Sequence, residues 1–471
     1  LSQSGETFHD LNSLLNNIPR PVIVTYRPAE QGGRHHLDAK SRLVFWLFKR
    51  PNADFFDIEF DVATAPSLLQ YDKDIDWGRV ICSYHNFHRV PPNLLQIYDR
   101  MLSSPAQILK IAVQADDATD CIQVLQLLER ARKDGREMIA IAMGSAGVAT
   151  RILGPSRGAF LTYAALEDEK ATAPGQISAR ELREVYRIEK IDQLTQIFGL
   201  IGFPVTHSMS PQMHNAAFDA VEINGVYIPF EVRDLEGFIK RMLHPRTREI
   251  SWNMRGISVT APYKTAVMDH LDWIEPAAKE IGAVNTILVV DDALQGYNTD
   301  AIGFLKPLKG KFAELRDLRC VVIGSGGAAS AAAWGLNQEG AKVTIFARDG
   351  KKAASLAAKF GATSASLDES EFQGFDVVIN ATPLGTVGEF ESGTPATARQ
   401  LRGARLVYDL VYNPSETKFL REAREAGCER LGGLSMLVAQ AAEQFRLWSG
   451  VDAPERVMFD AAQGSMLRSE T

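Results

Sequence analysis

The sequence predicts an α/β chain with parallel sheets, made of a barrel-like first part and a nucleotide-binding second part. Three observations predict it. Short apolar runs alternate with helical patterns along the chain, and strands separated by helices pair in parallel. The strand Cys320–Gly324 runs into a glycine-rich turn and then a helix over Ala328–Gln338, the setting in which a backbone can approach a pyrophosphate. The composition, 45% hydrophobic and 23% charged, is that of an ordinary globular protein, and 471 residues leave room for about three domains.

Composition also excludes several classes. A net charge of −7 and a pI near 5.8 argue against nucleic acid as a partner, because phosphate binding needs a cationic surface. No run of about 18 apolar residues suggests a membrane-spanning helix. Cys82, Cys121, Cys320 and Cys428 lie far apart with no CxxC, so neither a zinc ribbon nor a disulfide scaffold is expected, and no metal-ligand spacing is seen. A reducing compartment follows: cytoplasm, or plastid in a plant. The chain begins with Leu1 and shows no signal segment, so its true N-terminus is expected to be missing. No obligate protein partner is inferred.

In the first part, strands are expected near Val22–Tyr26, Phe55–Phe60, Val80–Tyr84, Ile108–Val113, Met138–Met143 and Gly158–Tyr163. Helical patterns such as Leu37–Phe48 and Ala118–Lys133 lie between them. Arg27, His85, Lys110 and Arg151 fall at or just after strand ends, where a (βα)8 TIM-type barrel builds its active site. Six strands are counted where a closed barrel needs eight. Ile177–Gln196 carries charge without Gly or Pro and reads as a connecting helix.

Lys110 stands among Ile108, Leu109, Ile111, Ala112 and Val113. An ammonium among apolar neighbours tends to lose its proton, and a neutral amine can attack a ketone to form a Schiff base. A strand-end lysine reaching water would read the same way. His85 follows the strand Val80–Tyr84 and can move protons at neutral pH, or can be a structural histidine. Arg27 and Arg151 suit a bidentate carboxylate clamp, although surface arginines are common.

These residues resemble the type I 3-dehydroquinate dehydratase family. The matching pieces are Thr25-Tyr26-Arg27 with Gln31-Gly32-Gly33, Asp57-Ile58-Glu59, Ser83 to Phe87, Lys110-Ile111-Ala112, Ala142 to Gly144 with Arg151, and Ala173 to Gln176, in family order over about residues 10–180. The resemblance implies a Schiff base on Lys110 and acid/base work by His85. It also implies that Arg151 and Gln176 hold the substrate, with Thr172 and Arg27 nearby. The family has two strands before this chain's start, so the barrel is expected to lack its first two. Gln31 stands where many members carry Glu.

The second part continues with strands near Ile197–Gly202, Gly225–Phe230, Gly256–Val259, Thr286–Val290, Val343–Phe346, Val377–Asn380 and Leu406–Asp409, and a closing helix Ser435–Trp448. Gly324-Ser325-Gly326-Gly327-Ala328-Ala329 has the pattern Gly-x-Gly-x-x-Ala. Its glycines permit a tight turn, and the helix N-terminus favours negative charge; a plain glycine-rich turn reads alike. Arg348 follows the next strand, where an arginine suits the extra phosphate of NADP, with Lys351 and Lys352 adding charge and Asp349 working against it. Lys264 and Asp300 could relay a proton during hydride transfer, or form a plain salt bridge.

Here the sequence resembles the shikimate dehydrogenase family, over about residues 197–460. The motifs are Gly202 to Pro211, Thr260 to Lys264, Gly282 to Thr286, Asn298-Thr299-Asp300, Asn380 to Gly385 and Gly433 to Gln440. The resemblance implies that Lys264 and Asp300 are the catalytic pair and that Ser208 and Ser210 bind a carboxylate. Thr260, Asn285 and Gln440 would bind ring hydroxyls. Gly324, Gly326, Gly327, Ala328, Arg348, Thr382 and Gly433 would bind NADP. Ser258 stands where many members have Asn. Ser208, Ser210 and Thr260 favour shikimate over quinate.

Together the two resemblances imply a bifunctional enzyme that dehydrates 3-dehydroquinate and then reduces the product to shikimate. Its domains are expected at 1–188 (incomplete barrel), 189–303 with 434–471 (substrate binding) and 304–433 (Rossmann NADP domain). The alternatives are a chain in which only the dehydrogenase half works, and a ligand-sensing regulator built from the same domains. Retention of Lys110, His85, Lys264 and Asp300 argues against the sensor.

Overall fold

The computed structural model describes residues 9–33, 36–49, 52–167, 173–206, 208–367 and 371–469. The chain forms two compact units. One comprises the described residues up to Leu194 with Phe230–Met242 and Glu249–Trp252; the other comprises Thr195–Pro229, Leu243–Arg248 and the described residues from Asn253. Among the described residues, no helix is long and apolar enough to cross a membrane.

In the first unit β1 (Ile23–Thr25), β2 (Phe55–Glu59), β3 (Val80–Asn86), β4 (Ile108–Gln114) and β5 (Glu137–Met143) pair in sequential order, all parallel. Helices cross over between most of these strands, as βα connections require. The helix Cys121–Lys133 buries Ile122, Val124, Leu125 and Leu128 against β5, and Asp117 and Asp120 cap the turn that begins it. Strand alternation puts Ile81, Ile108, Ala112, Ile139 and Ile141 on one apolar face. The same alternation sends Asp57, Ser83, His85 and Lys110 to that face, which makes it the candidate site.

Two expectations are corrected. Gly158–Tyr163 is not a sixth strand: only Ala159 bridges to Met138. Gly158 has φ +93°, and the Tyr163 carbonyl accepts from Arg151 rather than from a neighbouring strand. Ile177–Gln196 is not one helix. It holds a short helix Ala179–Glu184, a single turn Ile188–Lys190 and the first residue of the next strand. Arg187, at φ +50°, ends helical geometry between them.

The second unit carries two sheets of six strands. β6 (Gln196–Gly202), β7 (Gly225–Glu231), β8 (Met254–Val259), β9 (Trp273–Ile274), β10 (Thr286–Val290) and β11 (Ala293–Tyr297) form a mixed sheet in the order β7-β6-β8-β10-β11-β9. β12 (Arg319–Ile323), β13 (Lys342–Phe346), β14 (Thr363–Ala365), β15 (Val377–Asn380), β16 (Leu406–Asp409) and β17 (Glu429–Leu431) form a parallel sheet in the order β14-β13-β12-β15-β16-β17. Counted from β12, that is the 3-2-1-4-5-6 order of a dinucleotide-binding fold, whose switch point lies between β12 and β15.

The long helix Leu434–Ser449 returns to the mixed sheet, burying Val438, Ala441, Phe445 and Trp448 with Phe198 and Phe218. It also packs against the helix Asp300–Lys309. Gly303 permits this closeness, since a Cβ there would fall 2.5 Å from the Gln440 Cβ.

Candidate active sites

Lys110 lies in the middle of β4, not at its end, and only 6% of it is exposed. Its Nζ donates to Asp57 Oδ2 at 2.8 Å and sits 4.4 Å from the centre of the Tyr163 ring. Arg27 reaches the same Asp57 oxygen at 2.7 Å and also contacts His85 Nε2. One buried carboxylate thus gathers Arg27 and Lys110, with His85 beside them. Burial lowers the Lys110 ammonium, and nearby Arg27 adds to this while Asp57 opposes it. Burial also holds His85 well below the usual imidazole value, reinforced by Arg27 and Lys110. Burial alone would raise the Asp57 carboxyl, but Lys110 and Arg27 outweigh it and keep Asp57 ionised. The cluster therefore offers an amine with a weakened hold on its proton and a neutral imidazole.

Arg151 is 1% exposed and sits on the helix Val148–Leu153. It donates to the carbonyls of Tyr163 (3.2 Å) and Pro174 (3.4 Å), and among the described residues no carboxylate pairs with it. Burial pushes its guanidinium down to about 10. A buried cation without a counter-ion is an anion seat. The loop bearing Gln176 closes on the end of β5: Gly144 N donates to Pro174 O at 3.0 Å, and Gly175, at φ +65°, packs its Cα against the Gly144 backbone. Thr172 lies outside the described residues. Asp57 and Tyr163 were not singled out as site residues from sequence. The signal for Asp57 was available, an acid inside the apolar strand Phe55–Glu59.

In the second unit Lys264 Nζ donates to Asp300 Oδ2 at 2.6 Å, with 24% and 7% of the two side chains exposed. Asp300 opens the helix Asp300–Lys309, and its other oxygen accepts from Asn285 Nδ2 at 2.8 Å. Asn285 also reaches Gln440 Oε1 at 3.5 Å. Thr260 follows β8, and its methyl would meet any side chain placed at Gly202, so the loop after β6 and the loop after β8 touch there. In the first of these loops Ser208 Oγ accepts from Ser210 N at 3.2 Å. Three loops (Ser208; Thr260 and Lys264; Asn285) and three helices (Ser210, Asp300, Gln440) carry these residues within one unit. Ser258, Tyr227, Thr286 and Gln444 form a buried layer behind them that was not assigned a site role from sequence.

The glycine turn after β12 suits a dinucleotide. Gly324 has φ +132°, and a Cβ there would sit 2.8 Å from Ala381 O, so only glycine fits. At Gly326 a Cβ would meet nothing, which leaves open space before the helix Gly327–Gln338. Gly327 lies over Lys264, whose Cδ is 3.6 Å from a Cβ position there, and Ala328 follows in the first turn. Thr382 Oγ1 is held by Asn380 Oδ1 at 2.6 Å, and Gly433 is pressed against the Leu410 and Val411 carbonyls. Arg348 is exposed after β13. Asp349 caps the next helix, its carboxylate accepting from Lys351 N and Lys352 N at 3.0 and 3.1 Å.

Family models match along the chain. Type I 3-dehydroquinase matches residues 2–193, the shikimate dehydrogenase substrate binding domain 200–287, shikimate/quinate 5-dehydrogenase 307–393, and the shikimate 5'-dehydrogenase C-terminal domain 433–463. A chloroplastic bifunctional 3-dehydroquinate dehydratase/shikimate dehydrogenase of Arabidopsis thaliana is 35% identical over 95% of this chain and 76% of its own. The chain belongs to this bifunctional family. Its second half is also similar to the NADP(+) shikimate dehydrogenase of Caldanaerobacter subterraneus subsp. tengcongensis, 39% identical over 59% of this chain and 100% of that one. The shikimate 5-dehydrogenase of Thermus thermophilus, solved with NADP(H) and shikimate, superposes with a TM-score of 0.52 at 36% identity, covering 57% of this chain and 100% of that one. Membership of the family accounts for both the barrel-type first unit and the two-sheet second unit.

Proposed function

We propose that the chain performs two consecutive steps: dehydration of 3-dehydroquinate to 3-dehydroshikimate, then NADPH-dependent reduction to shikimate. The observation that carries this reading is that each unit keeps a lysine held by a carboxylate in its candidate site, Lys110 by Asp57 and Lys264 by Asp300. The reading divides the chain into domains 1–188, 189–303 with 434–471, and 304–433. It needs only small-molecule partners, and its dispersed reduced cysteines suit cytoplasm or plastid.

In the first step the Lys110 ammonium gives up a proton, its amine attacks the substrate ketone, and that proton returns as water leaves, which gives an iminium. The iminium withdraws electrons and acidifies the adjacent C–H. Neutral His85 takes that proton and returns a proton to the departing hydroxyl, which leaves as water. A second water hydrolyses the iminium and frees Lys110. Arg151 holds the substrate carboxylate, with Arg27, Gln176 and Thr172 contributing to its seat.

In the second step NADPH, when bound, would supply hydride to the ketone and leave as NADP. The residues that would hold it are Gly324, Gly326, Gly327 and Ala328 at the turn, Arg348 at the adenosine phosphate, and Thr382 and Gly433. Ser208 and Ser210 donate to the substrate carboxylate, and Thr260, Asn285 and Gln440 orient its hydroxyls. The Lys264 ammonium gives a proton to the new alkoxide while Asp300 holds it in line.

The test is NADPH consumption by the purified chain with 3-dehydroquinate or 3-dehydroshikimate. Oxidation with both is expected, with the first lost in Lys110→Ala and both lost in Lys264→Ala. No oxidation with either substrate would sink the reading.

A further inference from the structure

Behind the reduction site a row of buried side chains donates hydrogen bonds in one direction. Tyr227 OH donates to Ser258 Oγ at 2.8 Å, and Ser258 Oγ donates to Gln444 Oε1 at 2.8 Å. Gln444 Nε2 donates to Thr286 Oγ1 at 3.0 Å and to Asn285 O at 3.2 Å. Thr286 Oγ1 donates to Asn285 Oδ1 at 2.8 Å, where Thr299 N also donates at 2.8 Å. That leaves Asn285 Nδ2 to face Asp300, which holds Lys264. At the far end the Tyr227 hydroxyl interacts with Ser210. The row thus runs from the serine proposed for the substrate carboxylate to the proton-transfer pair.

We infer that Gln444 is a positioning residue for the reduction, fixing through Thr286 which way the Asn285 amide faces and so keeping Asp300 and Lys264 aligned. The argument is one of donor and acceptor count. A hydroxyl has one proton to give. Because Gln444 Nε2 donates to Thr286, the Thr286 proton is free for Asn285 Oδ1. If Gln444 presented only acceptors, Thr286 would turn its proton toward residue 444. Asn285 Oδ1 would lose a partner, and the amide could flip its oxygen against the Asp300 carboxylate. Such an arrangement is costly in a buried network, where every unsatisfied group counts. Gln444 itself is 2% exposed and touches neither lysine nor carboxylate, so its influence passes through other side chains.

This inference rests on the proposed reduction, and its test separates the two. Gln444→Glu keeps the size of the side chain but removes the donor while it is ionised. Its kcat for 3-dehydroshikimate reduction is expected to fall by about 10- to 100-fold near pH 8, with KM for that substrate changed less than about twofold. As pH falls toward 6 the carboxyl gains a proton and becomes a donor to Thr286, so kcat relative to wild type should recover. The titratable groups facing residue 444 are His214 and Tyr227. His214 is pushed down to about 3 and Tyr227 raised by burial, so neither changes charge in that window. Where Gln444→Glu does not fold, Ser258→Ala serves: it removes the hydroxyl that holds Gln444 Oε1 and frees the amide to turn its oxygen toward Thr286, with kcat expected to drop at unchanged KM. Wild-type kcat in these variants, or a Gln444→Glu loss that does not recover on acidification, overturns the inference. An inactive wild-type chain would instead overturn the reduction itself.

Discussion

Asp57 has no contact with solvent, yet it organises the first cluster by accepting from Lys110 and pairing its charge with Arg27. A buried ion pair contributes little net stability as a pair, but removing one partner strands the other charge. Asp57→Asn is therefore expected to lower unfolding stability by about 3 kcal/mol, read from denaturant midpoints. It should also reduce dehydratase kcat, since Lys110 loses the group that aims it. An unchanged midpoint would mean that water or a rearranged neighbour already solvates Lys110. Arg151 illustrates the same physics with the opposite outcome. It is buried with carbonyl partners and no carboxylate among the described residues, which costs stability in the free protein.

At the scale of the element, the turn after β13 is where the proposed choice of cofactor is tested. The strand ends at Phe346, Arg348 faces solvent, and Asp349 is committed to the helix Gly350–Lys359. Arg348→Ala is expected to weaken NADPH binding by about tenfold while leaving NADH binding unchanged, measured by fluorescence titration of both. Equal losses for both cofactors would show that Arg348 does not read the phosphate. The turn after β12 has less freedom. Gly324→Ala would push a methyl into the Ala381 carbonyl at a φ that L-residues avoid. Loss of cofactor binding is expected there with a lowered Tm.

For the whole molecule, buried titratable groups make stability depend on pH, His85 in the first unit and His214 and Asp409 in the second among them. His214 lies fully buried, its ring stacked 4.4 Å from that of Tyr227, and burial pushes it down to about 3. The folded state holds it neutral while the unfolded chain takes a proton near 6.5. Its contribution is therefore whole above pH 6.5 and is lost as pH falls toward 3, by about 2 kcal/mol between pH 7 and 5. Asp409 works the other way. Burial pushes its carboxyl up to about 6 against hydrogen bonds from Thr417, Val411 and Asn380, so it loses stability as pH rises from about 4 to 6. His214→Phe should flatten the fall of Tm between pH 7 and 5. An equally steep fall in the variant would assign that acid sensitivity to other groups.

The sequence by itself determined the α/β class, most strands to within a residue or two, the glycine turn and the pairing of Lys264 with Asp300, because strand periodicity, turn chemistry and spaced motifs are local signals. It did not determine that Tyr163 covers Lys110 in place of a sixth strand, or that Ile177–Gln196 is broken at Arg187. Nor did it show the row from Tyr227 through Ser258, Gln444 and Thr286 to Asn285. Those contacts join residues up to 186 positions apart. Only the tertiary structure decided them, because a buried polar group takes whichever partner the packed sheets and helices bring within reach.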